Sequence, residues 1–221
     1  MAGKVTDFNI AEVIKTLKKV TKEFRKPGLM LIGKHNDPFM VLISCIISLR
    51  TRDEITETAS ARLFSLAKTP AELLKLTHAN IVKAIYPAAF FRNKTKSIIE
   101  ICEILEKKYA GIVPDKLEEL LKLKGVGRKT ANLTLTIGHN KPGICVDIHV
   151  HRISNRWGYV KTKTPDETEM VLRKVLPKRF WKRYNELLVS FGQNLCKPIS
   201  PFCSSCPLEA QCLKVGVEKH R

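Results

Sequence analysis

"LKLKGVGRKTANLTL", residues 121–135, predicts two helices joined by a tight glycine turn. Gly125 and Gly127 can adopt a positive φ, so the backbone can reverse here and another molecule can approach it closely. The second helix would begin with Arg128 and Lys129, although each cation at a helix N-terminus loses roughly 0.3–1 kcal/mol against the macrodipole. Two cations at this position indicate a purpose beyond helix formation.

The glycine turn has the features of a phosphate-binding site. The amides of Val126, Gly127 and Arg128 are expected to point outward from the start of the second helix, where N–H groups and the helix dipole favour an anion. Such a contact would hold a DNA backbone without reading its bases. An ordinary helix–helix turn with solvated basic residues explains the glycines equally well, so the choice depends on the charge of the whole chain.

The charge of the chain favours a polyanionic partner. Of its 221 residues, 39 are Lys or Arg and 21 are Asp or Glu, which gives a net charge of +18. This exceeds what solubility requires, and its even distribution indicates a folded basic surface for nucleic acid. The longest apolar run, residues 38–49, is too short to span a bilayer, and the N-terminal residues lack the apolar core of a signal peptide. We therefore expect a cytoplasmic protein that does not enter a membrane.

Helix signals recur along the whole chain. Threonine, proline and glutamate stand in capping order at Thr69 and at Thr164, which predicts two helix starts. Apolar spacing predicts further helices at about 93–109, 115–122 and 178–195. Period-two alternation of β-branched residues is almost absent, so we predict an all-α fold.

Asp147 stands before the segment that most resembles a strand, "ICVDIHVHRI" at 144–153. This segment is better explained as a helix capped by Asp147, with Ile148 and Ile153 on its apolar face. A carboxylate in a cleft could also stabilise positive charge that develops on a sugar ring. Capping alone explains the residue as well, and the sequence leaves both interpretations open.

Lys129 has a second possible role as a nucleophile. In a first helical turn beside Arg128, both the dipole and the like charge favour its uncharged amine. An uncharged amine attacks carbonyl-like carbons and forms Schiff bases, and C1′ of an opened deoxyribose is such a carbon.

Four of the seven cysteines lie close together near the C-terminus. Cys196, Cys203, Cys206 and Cys212 are separated by six, two and five residues, and three prolines prevent the intervening chain from forming a helix. In a reducing compartment these thiols would bind one metal centre instead of forming disulfides, and the alternatives are tetrahedral zinc and a 4Fe-4S cluster. The single CxxC and the unequal spacings favour the cluster.

Three motifs together resemble the endonuclease III family of the helix-hairpin-helix DNA glycosylases. They are "LKGVGRKTAN", "VDIHVHRISNRWG" and the four-cysteine loop, and they extend from about Phe39 to Cys212. The resemblance implies that Lys129 is the Schiff-base nucleophile, that Asp147 is the catalytic aspartate and that the four cysteines hold a 4Fe-4S cluster.

The resemblance also implies an architecture and an activity. We expect a six-helix domain at 29–141 with the hairpin, a cluster domain at 1–28 plus 142–221, and DNA bound across the cleft between them. The chain would be a monomeric glycosylase and AP lyase of base excision repair, acting on oxidised pyrimidines and abasic sites in double-stranded DNA. The alternatives are a non-catalytic cluster-bearing DNA-binding protein and a monofunctional mismatch glycosylase, which Lys129 disfavours.

Two positions differ from many members of that family. Arg50 stands where they have a glutamine that fills the gap left by the flipped base. Phe90 stands in the wedge segment that is commonly "GLY", and its ring could stack into an unstacked duplex. Both side chains are expected to contact DNA.

Overall fold

The computed structural model of the chain describes residues 9–24 and 37–221. In these residues the α-helices are, in chain order, α1 (Ile10–Val20), α2 (Pro38–Ser48), α3 (Asp53–Leu66), α4 (Pro70–Leu74), α5 (His78–Ile85), α6 (Phe91–Tyr109), α7 (Leu117–Leu120), α8 (Arg128–Leu133), α9 (Ile148–Arg156), α10 (Pro165–Val175) and α11 (Trp181–Asn194). The described part of the chain contains no strand, which confirms the predicted all-α class. None of the helices described is long and apolar enough to cross a membrane.

The predicted helix starts at the two threonines are confirmed. The Thr69 and Thr164 hydroxyls accept the amides of Glu72 and Glu167, each at 3.2 Å. The helix expected at 115–122 is a single turn, α7, and the one expected at 178–195 begins as a 3₁₀ turn before α11. The differences lie at helix ends, where local signals are weakest.

The described chain forms two compact units. The hairpin unit comprises the described residues from α2 to Gly143. The cysteine unit comprises α1 together with the chain from Ile144 to Arg221. The domain boundary expected between residues 28 and 29 lies outside the described residues.

Helix α2 forms the centre of the hairpin unit. Its sequence is apolar on all sides, and eight of its eleven residues are buried, as expected for a helix surrounded by others. Asp37 caps it by accepting the Met40 amide at 2.9 Å. Helix α8 and the π-turn that follows it (Thr134–Gly138) pack against α2, so the buried helix supports the start of α8.

Helices α9 and α11 pack together in the cysteine unit. The Trp157 and Phe191 rings lie 6.4 Å apart between them, and the Ser154 and Tyr184 hydroxyls are hydrogen-bonded at 3.0 Å. All four side chains are buried. This packing fixes the position of α9, whose first turn is capped by Asp147 and whose last turn faces the cysteine loop.

Candidate active site and cysteine loop

The hairpin between α7 and α8 reverses at a single left-handed glycine. Gly125 has φ +76°, as predicted, but Gly127 has φ −89°, so the expectation of a positive φ there is wrong. A Cβ at Gly127 would meet no atom within 4 Å. The fold itself does not require glycine at position 127, and the backbone there borders open space.

The amide of Val126 does not point outward. It donates to the Leu123 carbonyl at 3.1 Å, and its side chain is buried in the core of the hairpin unit. The prediction of an outward amide at this residue is wrong, because one turn hydrogen bond is needed to close the reversal at Gly125. Val126 anchors the hairpin. The amides of Gly127 and Arg128 are then the candidate donors to a bound anion.

Lys129 lies in the first turn of α8 and is exposed, while Arg128 before it is half-buried. Lys129 interacts electrostatically with Cys45 on α2. Burial raises the pKa of the Cys45 thiol to about 12, and the Lys129 cation partly opposes this shift. The first turn of α8 contains no acidic residue, so no carboxylate of that turn offsets the charges of Arg128 and Lys129.

Asp147 caps α9, as predicted. Its Oδ1 accepts the amides of His149 at 2.9 Å and Val150 at 3.0 Å, and the residue is only 8% exposed. Ile148, expected on the apolar face, is instead exposed, and Val150 is buried in its place. The two amides fix the orientation of the carboxylate. Asp147 belongs to the cysteine unit and Lys129 to the hairpin unit.

Arg50 and Phe90, which the sequence predicts as separate contacts, form one exposed pair. The Arg50 guanidinium carbon lies 4.9 Å from the centroid of the Phe90 ring, within the range of a cation–π interaction. Both residues have φ +57°, a left-handed conformation that is uncommon outside glycine. Two unusual turns therefore present one aromatic ring and one cation together at the surface.

Lys94 is a residue of this region that sequence reasoning missed. It is 6% exposed, and burial lowers its pKa to about 8. Its Nζ donates to the Ile47 and Leu49 carbonyls, each at 2.6 Å, and to Thr51 Oγ1 at 2.8 Å. The available signal was helical spacing, since Lys94 lies four residues before the buried Ile98 and so on the buried face of α6.

The four C-terminal cysteines line one cavity. Arg156 Nη1 lies 3.4 Å from Cys196 Sγ, and the Lys214 amide donates to Cys212 Sγ at 3.4 Å. Burial raises the pKa of the Cys206 thiol to about 11. Within the described ranges, no three His, Cys, Asp or Glu side chains are grouped closely enough for a single metal ion. The four thiols around this cavity are the candidate ligands of a metal centre.

These features define a class of protein. Residues 43–178 match the model of the HhH-GPD superfamily of base excision DNA repair proteins. The all-helical fold and the glycine hairpin that begins α8 agree with that class.

The particular family follows from two relatives. The chain is 52% identical over 179 residues to endonuclease III of Thermotoga maritima, covering 81% of this chain and 84% of that one. It is 43% identical to endonuclease III-like protein 1 of chicken (Gallus gallus) over 76% of this chain, but spans only 61% of that protein. The chain belongs to the endonuclease III family of base-excision glycosylases and lyases.

A solved structure supports the same assignment at the level of the fold. The structure of a trapped endonuclease III–DNA covalent intermediate matches with a TM-score of 0.84 and 33% identity. The match covers 95% of this chain and 97% of that one, so the two chains share a fold.

Proposed function

We propose that this protein excises oxidised pyrimidines from duplex DNA and then cleaves the strand, with Lys129 as the nucleophile. The observation that carries the proposal is an exposed primary amine in the first turn of α8, directly after a hairpin whose backbone at Gly127 borders open space. A covalent DNA intermediate in a structural relative agrees with an amine nucleophile. Duplex DNA with a damaged base or an abasic site is the proposed substrate.

The first step forms one bond and breaks one bond at C1′ of the sugar, and ring opening and strand cleavage follow it. The Lys129 nitrogen attacks C1′ of the flipped nucleotide, and the base leaves with the glycosidic electron pair and takes up a proton. The amine loses its protons as the ring opens to a Schiff base. Loss of a C2′ proton then expels the 3′ phosphate by β-elimination, and water releases the lysine.

Asp147 is proposed to stabilise the positive charge that develops at C1′. Two helix amides bind one carboxylate oxygen and hold the group in one orientation, which is the preorganisation that electrostatic catalysis requires. The same two hydrogen bonds are the N-cap of α9. One residue would therefore carry both a structural and a catalytic role.

The hairpin and the Arg50–Phe90 pair are proposed to contact the DNA. At Gly127 the missing side chain would let a phosphate approach the backbone, and the half-buried Arg128 would neutralise it. An exposed ring paired with a guanidinium suits the space left by a flipped base, because it can stack and hydrogen-bond at once.

The four cysteines are proposed to hold a 4Fe-4S cluster. They line one cavity, an amide and a guanidinium approach two of their sulfurs, and the single CxxC with unequal spacings favours a cluster over zinc. With four thiolate ligands the cluster has no open coordination position, so it would supply structure or electron transfer instead of Lewis acid chemistry.

The two units are proposed to be the glycosylase domains expected at 29–141 and at 1–28 plus 142–221. Each has an apolar core of its own in the described residues. We further propose that the chain acts as a monomer in the cytoplasm.

Borohydride trapping tests the nucleophile. Reduction of the Schiff base should link the wild-type chain covalently to DNA that contains an abasic site, and Lys129→Ala should give no linked product. Lys124→Ala, which removes another lysine of the hairpin, is the control and should trap normally when DNA is saturating. Equal trapping by Lys129→Ala would refute the assignment. DNA binding without any trapping by the wild type would favour the non-catalytic alternative.

A further inference from the structure

Lys94 is a buried cation whose three donors are all used. Its ammonium group donates to two carbonyls and one hydroxyl, at 2.6, 2.6 and 2.8 Å. No carboxylate forms an ion pair with it in the described part of the chain. A buried charge without a counter-charge is costly, and here three hydrogen bonds compensate for it. The location of their acceptors therefore shows what the lysine does at this position.

The acceptors of Lys94 belong to the turn that carries Arg50. Ile47 lies in the last turn of α2 and Leu49 caps that helix, so neither carbonyl has a complete set of helical partners. Between Leu49 and Thr51 stands Arg50 with φ +57°. The ammonium group thus binds the backbone and side chain on both sides of the left-handed residue.

The third acceptor links this turn to the one that carries Phe90. The Thr51 hydroxyl accepts both the Lys94 ammonium and the Ala89 amide, the latter at 3.1 Å. Ala89 directly precedes Phe90, which has the second left-handed φ of +57°. One ammonium group and one hydroxyl therefore connect the two turns. The residues joined by the hydrogen bond between Ala89 and Thr51 are 38 positions apart in the sequence.

We propose that Lys94 is a positioning residue that fixes the Arg50 and Phe90 side chains relative to each other. The proposal rests on the proposed function, in which this pair occupies the space of the extruded base. Loss of the Lys94 hydrogen bonds would leave the two side chains present but not aligned. The step affected is the extrusion of a stacked base, whereas an abasic site has no base to extrude.

The test compares two substrates in single-turnover assays. One duplex contains thymine glycol opposite adenine, and the other contains a preformed abasic site. Lys94→Met removes the donors and keeps the chain length, and it should slow excision of thymine glycol by about tenfold or more, because small misplacements near a reacting centre are costly. Cleavage at the abasic site should change by less than about twofold. Lys96→Met, an exposed lysine of the same helix, should change neither rate.

A second set of variants separates positioning from general damage. Thr51→Val removes the shared hydroxyl and should reproduce the selective loss to a smaller extent, even if Lys94→Met fails to fold. In the background of Arg50→Ala with Phe90→Ala, Lys94→Met should cause no further loss, since it acts through that pair. Equal loss on both substrates, or fully additive losses, would overturn the proposal. A wild type that cleaves neither duplex would instead refute the proposed function.

Discussion

The two units of the chain hold their candidate functional groups in opposite ways. In the hairpin unit Arg50, Phe90 and Lys129 are exposed, and the first two stand at left-handed turns of the backbone. In the cysteine unit Asp147 is 8% exposed, and the cysteines line a cavity beside the core. The difference teaches that substitutions should separate function from folding in the hairpin unit, whereas they should couple the two in the cysteine unit.

The largest effect is expected at the cysteine loop. Cys206→Ser should remove one ligand, abolish most of the visible absorption of the purified protein and lower its thermal stability, because cluster binding is also folding energy for this loop. Cys102→Ser replaces a buried cysteine of the hairpin unit and is the matched control. It should keep the absorption, although it also places a hydroxyl in a core. A colourless wild type with stoichiometric zinc would contradict the proposed cofactor.

At Asp147 we expect activity and stability to be coupled in a way that two different substitutions can separate. Asparagine caps a helix about as well as aspartate but lacks its charge, so Asp147→Asn should slow base excision on the order of a hundredfold and leave stability nearly unchanged. Asp147→Ala should lose the same activity and also about 1 kcal/mol of unfolding free energy, because the two hydrogen bonds from the helix amides are lost.

Excision kinetics and denaturant unfolding of both Asp147 variants measure the two roles separately. If Asp147→Asn kept full activity, the residue would be a helix cap and nothing more. If both variants lost equal stability, the asparagine would not have replaced the cap, and the activity loss could not be assigned to charge.

The same comparison explains which features could be predicted from the sequence. The caps at Thr69, Thr164 and Asp147 are local, since donor and acceptor lie two or three residues apart, and all three were predicted. Lys94 was missed because its acceptors lie 43 to 47 residues away, and only the tertiary fold brings them together. The Arg50–Phe90 pair illustrates both cases, because each residue was identified alone but their contact was not.

The hairpin showed a different limit of sequence reasoning. Two glycines two residues apart suggested two left-handed positions, but the reversal needs only Gly125, and the turn closes through a Val126 amide. The composition of a turn does not reveal which glycine is needed for a left-handed φ and which one leaves room for a binding partner. The φ of each glycine makes that distinction.

The smallest effect expected on stability is at Gly127, and it tests the hairpin side of the comparison. Gly127→Ala should leave the unfolding free energy nearly unchanged, because φ is −89° and the added Cβ meets no atom within 4 Å. It should weaken binding to duplex DNA roughly fivefold, as one close backbone contact is lost. Gly125→Ala is the counterpart, and its φ of +76° should cost about 1 kcal/mol of stability. Fluorescence anisotropy measures DNA binding by both variants, and denaturant unfolding measures their stability. If Gly127→Ala bound DNA like the wild type, the hairpin would be purely structural.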